Sequence, residues 1–165
     1  MRCMVDYVEI VPLEILYGVV RKPRRVMPRE EAWRWWLIKF KESLPPGLDK
    51  LVFQGYVDGY LVAVIGIFDD KLTTVSLDLY GDGSFEIVLS PQYLYDLNMF
   101  NPNCELAYLT KWDEANNQYV AVMTPCEWLR FEGNFKFKIA NPNLAKTVKP
   151  GVYVWLYARR LERKS

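Results

Sequence analysis

Phe135-Lys136-Phe137-Lys138-Ile139 and Val152-Tyr153-Val154-Trp155-Leu156-Tyr157 are the stretches that decide the fold class of this chain. In the first, a period of two puts Phe135, Phe137 and Ile139 on one face and the two lysines on the other, as a half-buried strand requires. In the second, both faces are apolar: Val152, Val154 and Leu156 on one, Tyr153, Trp155 and Tyr157 on the other. Such a strand is covered on both sides, by its own fold or by a neighbouring molecule.

Working outward, the same rhythm recurs along most of the sequence. Strands are expected at 4–11 and 14–20, then at 51–57 and 60–68, where Asp58-Gly59 is a type I′ hairpin signal. Further strands follow at 72–80 and 85–89. A hairpin pairs 104–112 with 118–124, and strands at 127–131, 134–140 and 152–160 complete the set. One substantial helix is expected at about 28–44. Pro28 suits its first turn, Glu30 and Glu31 suit the positive end of the dipole, and Pro45-Pro46-Gly47 stops it. Trp33, Trp36, Leu37, Phe40 and Leu44 would form its buried stripe, with Trp35 pointing away as a surface ring or a subunit contact. Ser90-Pro91 reads as the cap and first position of a shorter helical turn through residue 100. About ten short strands in a single domain spanning 1–165 predict an all-β fold of two antiparallel sheets. The long connections at 21–50 and 90–103 suit crossings between sheets, so a jelly-roll sandwich or barrel is the expected topology.

Composition narrows the function. Aromatic residues make up 15% of the chain, with 11 tyrosines and 6 tryptophans, more than a small core needs, and the surplus points to interfaces. The balance of 21 basic against 20 acidic residues excludes a globally basic nucleic-acid binder but allows local patches. Arg21, Lys22, Arg24 and Arg25 cluster early, and Arg159 and Arg160 lie near the end. They are either solvated segments or contacts for the phosphates of a genome or of lipid headgroups. Cys104 and Cys126 lie at similar distances from the turn at 113–117, so a hairpin there would bring them within disulfide range. In a reducing cell the same two would remain thiols. The start, Met1-Arg2-Cys3-Met4-Val5-Asp6, carries an acid too early for a signal peptide, so synthesis in a cytoplasm is expected.

Chemistry is hard to find. The chain has no histidine, which removes Ser-His-Asp and Cys-His catalysis and the usual cupin metal site. Its cysteines fit no zinc spacing, and the acids at 69–70 and 78–82 fall at turns where solvated carboxylates are ordinary. No pair of acids is singled out for glycoside hydrolysis. The reading is therefore a non-enzyme with no cofactor and no metal.

The segment Phe135-Lys136-Phe137-Lys138-Ile139-Ala140-Asn141-Pro142-Asn143, followed by Lys149-Pro150-Gly151-Val152-Tyr153-Val154-Trp155, resembles the closing strands of viral jelly-roll coat proteins. In size, charge and domain count the chain looks like the smaller single-jelly-roll major capsid proteins of tailless icosahedral viruses with an internal membrane. The likeness covers about thirty residues of strand rhythm and turn chemistry. The Trp-rich helix expected at 28–44 has no place in that family's pattern. The resemblance implies a virion protein, synthesised in the host cytoplasm, that associates with itself and with a second capsid protein. Its basic segments would meet membrane headgroups or genome. Trp35, Tyr153, Trp155 and Tyr157 are the expected interface residues. The alternative class is a monomeric β-sandwich that binds carbohydrate on the same aromatic face.

Overall fold

The computed structural model describes residues 9–12, 32–100 and 107–164. In chain order the elements are β1 (Glu9–Pro12), β2 (Arg34–Lys41), β3 (Asp49–Phe68), β4 (Thr74–Asp78), β5 (Glu86–Leu89), α1 (Pro91–Phe100), β6 (Ala107–Asp113), β7 (Gln118–Met123), β8 (Leu129–Ala140) and β9 (Gly151–Arg163). Every strand pairing is antiparallel. The strands form one sheet in the order β1-β2-β9-β3-β8-β4-β5, with β7 paired to β3 and β6 to β7. The fold is all-β and sandwich-like, with one short helix among the described residues.

The expected helix at 28–44 is corrected. Residues 28–31 lie outside the described part, and Arg34–Lys41 is a strand paired with β9 from Arg34↔Ala158 to Lys41↔Gly151. The cause is an apolar run that satisfies both periods. Trp35, Trp36, Leu37, Ile38 and Phe40 include the positions of a helical stripe, yet aromatic and β-branched side chains favour the pleated surface once a long partner strand is available. In the strand, Trp36, Ile38 and Phe40 share one face with Val152, Val154 and Leu156 of β9, and Ile38 and Phe40 are wholly buried there.

Asp58-Gly59 is a second correction, because the chain does not turn there. β3 runs for 20 residues through this dipeptide, roughly 65 Å if it were straight. Register shifts at Leu51/Phe53 against β8, and at Asp58/Gly59 and Leu61/Ala63 against β9, bend it instead. One edge of β3 carries β9, and the other carries first β8 and then β7. Likewise the two strands expected at 127–131 and 134–140 are one, β8, running through Gly133. The strands expected at 14–20 lie outside the described residues.

The period-two reading of the two opening stretches holds. Phe135, Phe137 and Ile139 are wholly buried, as are Val152, Val154 and Leu156. They join Phe53, Val57, Leu61 and Leu77 in one contiguous core. Each such side chain contributes about 1.5–3 kcal/mol on leaving water. Ser90 caps α1 as expected, its Oγ accepting from the Tyr93 N–H at 3.0 Å, and Leu94 anchors the helix in the core. The loop after β8 is held by buried Asn141, whose Nδ2 donates to Leu44 O at 3.0 Å and Lys146 O at 2.7 Å.

β9 lies unusually close to β3. A Cβ on Gly59 would sit 2.4 Å from Ala158 Cα, and one on Gly55 2.3 Å from Glu162 O. Gly59→Ala should therefore destabilise the fold by about 3 kcal/mol, the upper end for overpacking, because the obstacle is backbone. Urea unfolding would show it as a lower midpoint with an unchanged slope.

Candidate binding face

The face of β2-β9-β3 opposite the core is built in rows, because directly paired residues of a sheet project to the same side. The first row crosses four strands: Trp35, Tyr157, Tyr60 and Arg130. Leu37, Trp155 and Ala63 make the second row, Lys39, Tyr153 and Ile65 the third, and Lys41, Gly151 and Ile67 the fourth.

Rings concentrate around the first row. Tyr157 lies 4.9 Å from Trp35, 5.8 Å from Trp128 and 5.3 Å from Trp33, the last nearly parallel at 21°. Trp33 also meets Tyr60 at 5.5 Å, and Trp128 meets Trp35 edge-on at 5.2 Å. Aromatic contacts of this geometry contribute about 0.5–1.5 kcal/mol each beyond burial. The Arg130 guanidinium lies 5.6 Å from the Tyr60 ring and 5.7 Å from the Trp33 ring, within cation–π range. Trp128 is the most open ring of the five at 43% exposure, and the others are half-buried. A shallow hollow of about 590 Å³ lies between Trp128, Tyr60 and Tyr157.

Beside the rings sits a buried charge. Asp58 is 4% exposed and accepts hydrogen bonds from Arg130 Nη2 and, at 2.6 Å, from Arg159 Nε. Arg130 Nη1 also donates to the carbonyls of Gly59 at 3.1 Å and Phe131 at 2.6 Å. Burial pushes the Asp58 carboxyl up, but the hydrogen bonds and charges of Arg159 and Arg130 outweigh it and hold its pKa below the ordinary value.

The four expected interface residues share this face but divide along it. Trp35 and Tyr157 belong to the ring cluster. Trp155 sits mid-face with its indole nitrogen enclosed and no hydrogen-bond partner among the described residues, and Tyr153 lies further on, near the other end. Trp33, expected in the buried stripe of a helix, completes the cluster with Tyr60, Trp128 and Arg130, which the sequence does not single out. Reading 33–37 with a strand period would have aligned Trp33 with Trp35, whereas Trp128 and Arg130 carry no local signal.

Arg159 of the expected basic patch is committed to Asp58. Arg160 pairs with Glu162 at 3.0 Å and covers the Tyr56 ring at 4.9 Å. Arg21, Lys22, Arg24 and Arg25 lie outside the described residues. So does Cys104 of the expected disulfide, while Cys126 is exposed beside Glu127 and Trp128. The acids at turns cap backbone. Asp78 accepts the N–H of Gly81 at 2.9 Å and of Gly83 at 3.0 Å, and Asp70 accepts that of Leu72 at 2.8 Å. No group of three metal-ligating side chains occurs among the described residues. Compared with known proteins, the chain matches no family model and no curated protein.

The pairing of Asp58 sets a pH dependence. A carboxylate with a depressed folded pKa adds stability that is present above its unfolded pKa, near 4, and lost as pH falls through the folded value. Asp58→Asn should cost about 2–4 kcal/mol at pH 7, less than a fully buried pair because both arginines keep solvent contact. The gap from the parent should close below about pH 4, read by urea midpoints across the acid range.

Proposed function

We propose that the chain is a structural subunit that associates with copies of itself through the aromatic end of the outer face, as a coat protein of a virus particle does. One observation carries the reading: the cluster of five rings around Tyr157, half-open to solvent and bordered by Arg130 and Arg159. Aromatic centres with arginine at the border are what protein–protein contacts enrich. The order of strands supports a jelly-roll path as part of the proposal. β2 pairs with β9 and β3 with β8, so early strands nest against late ones as in a folded ribbon. On this reading the surroundings are a virion, and a second coat protein, membrane headgroups and genome are the further contacts.

The hollow beside Trp128 favours one other reading, stacking of a sugar ring by a monomeric protein. Trp128→Ala separates the two. Trp128 is 43% exposed and packs on the cluster from its edge, so the variant should still fold, with a lower urea midpoint, while self-association, followed by sedimentation over a concentration series, weakens about 30-fold, as for a hot-spot residue of 2 kcal/mol. A parent protein that stays monomeric at the highest concentration sinks the assembly reading, and loss of glycan binding in the variant would then establish the other.

A further inference from the structure

Among the described residues, one large apolar side chain stands almost entirely in water. Leu144 is 95% exposed, and no other large hydrophobic residue there exceeds 53%. Single exposed leucines are common on protein surfaces. What distinguishes this one is the bracing of its loop, which joins β8 to β9. Before it, buried Asn141 donates from Nδ2 to the carbonyls of Leu44 at 3.0 Å and Pro45 at 3.2 Å. Asn143 donates from Nδ2 to Asp70 Oδ2 at 2.9 Å. After it, Lys146 O accepts from Asn141 at 2.7 Å, and the Lys149 N–H donates to both Asp69 carboxylate oxygens at 3.0 Å. A loop tied down on both sides of Leu144 holds the side chain outward, so its burial waits for a second surface. Because the loop is already ordered, little conformational entropy is lost when that surface arrives.

The molecule carries a surface of the matching kind at the other end of the same strand. Trp128 immediately precedes β8, and Leu144 lies just beyond its last residue. β8 is 12 residues long, roughly 40 Å at the strand rise of 3.3 Å, too far for the two to meet within one copy. At the Trp128 end the rings do not stack flat. Trp128 stands at 65° to Tyr60 and at 60° to Tyr157, with centroids 6.1 Å and 5.8 Å away, so the three rings wall the hollow of about 590 Å³. That space is ample for a leucine side chain.

Charge agrees with this pairing. Glu127 lines the hollow and is exposed, and Lys149 is exposed on the loop that carries Leu144. Neither meets an opposite charge among the described residues. Arg130, beside the rings, is engaged by Asp58. A symmetric contact of hollow against hollow would bring the Glu127 carboxylates of both copies together and leave Leu144 in water.

We infer that copies of this chain join head to tail, Leu144 of one copy entering the ring-walled hollow of the next, with Lys149 of the first facing Glu127 of the second. This arrangement rests on the self-association proposed above and names the surface that fills the hollow. Contacts between two different patches repeat from copy to copy, giving rings where the rotation closes and open chains where it does not.

Complementation of two variants, followed by sedimentation over a concentration series, tests it. Leu144→Asp should keep the parent's urea midpoint, since the side chain touches little, and should weaken self-association at least tenfold. Trp128→Ala damages the hollow and keeps the leucine. Mixed in equal amounts, the two should bind each other with nearly the parent's affinity, through the intact hollow of the first and the intact leucine of the second. Such a mixture should stop at a pair, whereas the parent continues to larger species. A Leu144→Asp protein that associates as tightly as the parent overturns the head-to-tail contact and leaves association through the rings standing. A mixture no more associated than its components overturns the head-to-tail contact as well. A parent that stays monomeric at the highest concentration removes the self-association reading, and this contact with it.

Discussion

The carboxylate of Asp58 is the point on which the sheet turns. It lies in β3 where that strand bends, and it receives one arginine from β8 and one from β9, so three strands meet on a single desolvated acid. Burial disfavours the charge, and the hydrogen bonds and charges of the two guanidiniums together outweigh it. With the acid satisfied, β3 can pass through a dipeptide that elsewhere ends a strand. Gly59 next to it then allows β9 to approach closely enough to keep its ladder.

That geometry explains both what the sequence makes legible and what it hides. Local alternation needs no distant information, so Phe135, Phe137, Ile139 and the two faces of 152–157 are readable directly. The N-cap at Ser90 is readable for the same reason. Asp58-Gly59 is misread as a turn because the partners that hold Asp58 within the sheet lie 72 and 101 positions away. Residues 34–41 are misread as a helix because their apolar run fits either period, and only the presence of β9 decides between them. In both cases tertiary contact outweighs local preference.

The outer face shows the same division. Tyr157 stands out in the sequence as a ring on a strand already apolar on its other face, and Trp35 as the ring that points away from the stripe of an expected helix. Their meeting with Tyr60, Trp128 and Arg130 depends on register across four strands, which no local pattern encodes. Away from the ring cluster the same side of the sheet continues through Leu37, Trp155 and Ile65.

The place of β9 also governs when the structure can form. It lies between β2 and β3 and completes the ladders of both, yet it is made about a hundred residues after β2, a separation that favours slow folding. Until β9 is made, the edges of β2 and β3 that it covers have no native partner for their N–H and C=O groups. Unpaired edges of that kind readily join another chain. The closing of this sheet is thus tied to the last strand of the chain order, and a chain that lacks it exposes two edges at the centre of the sheet rather than one at its rim.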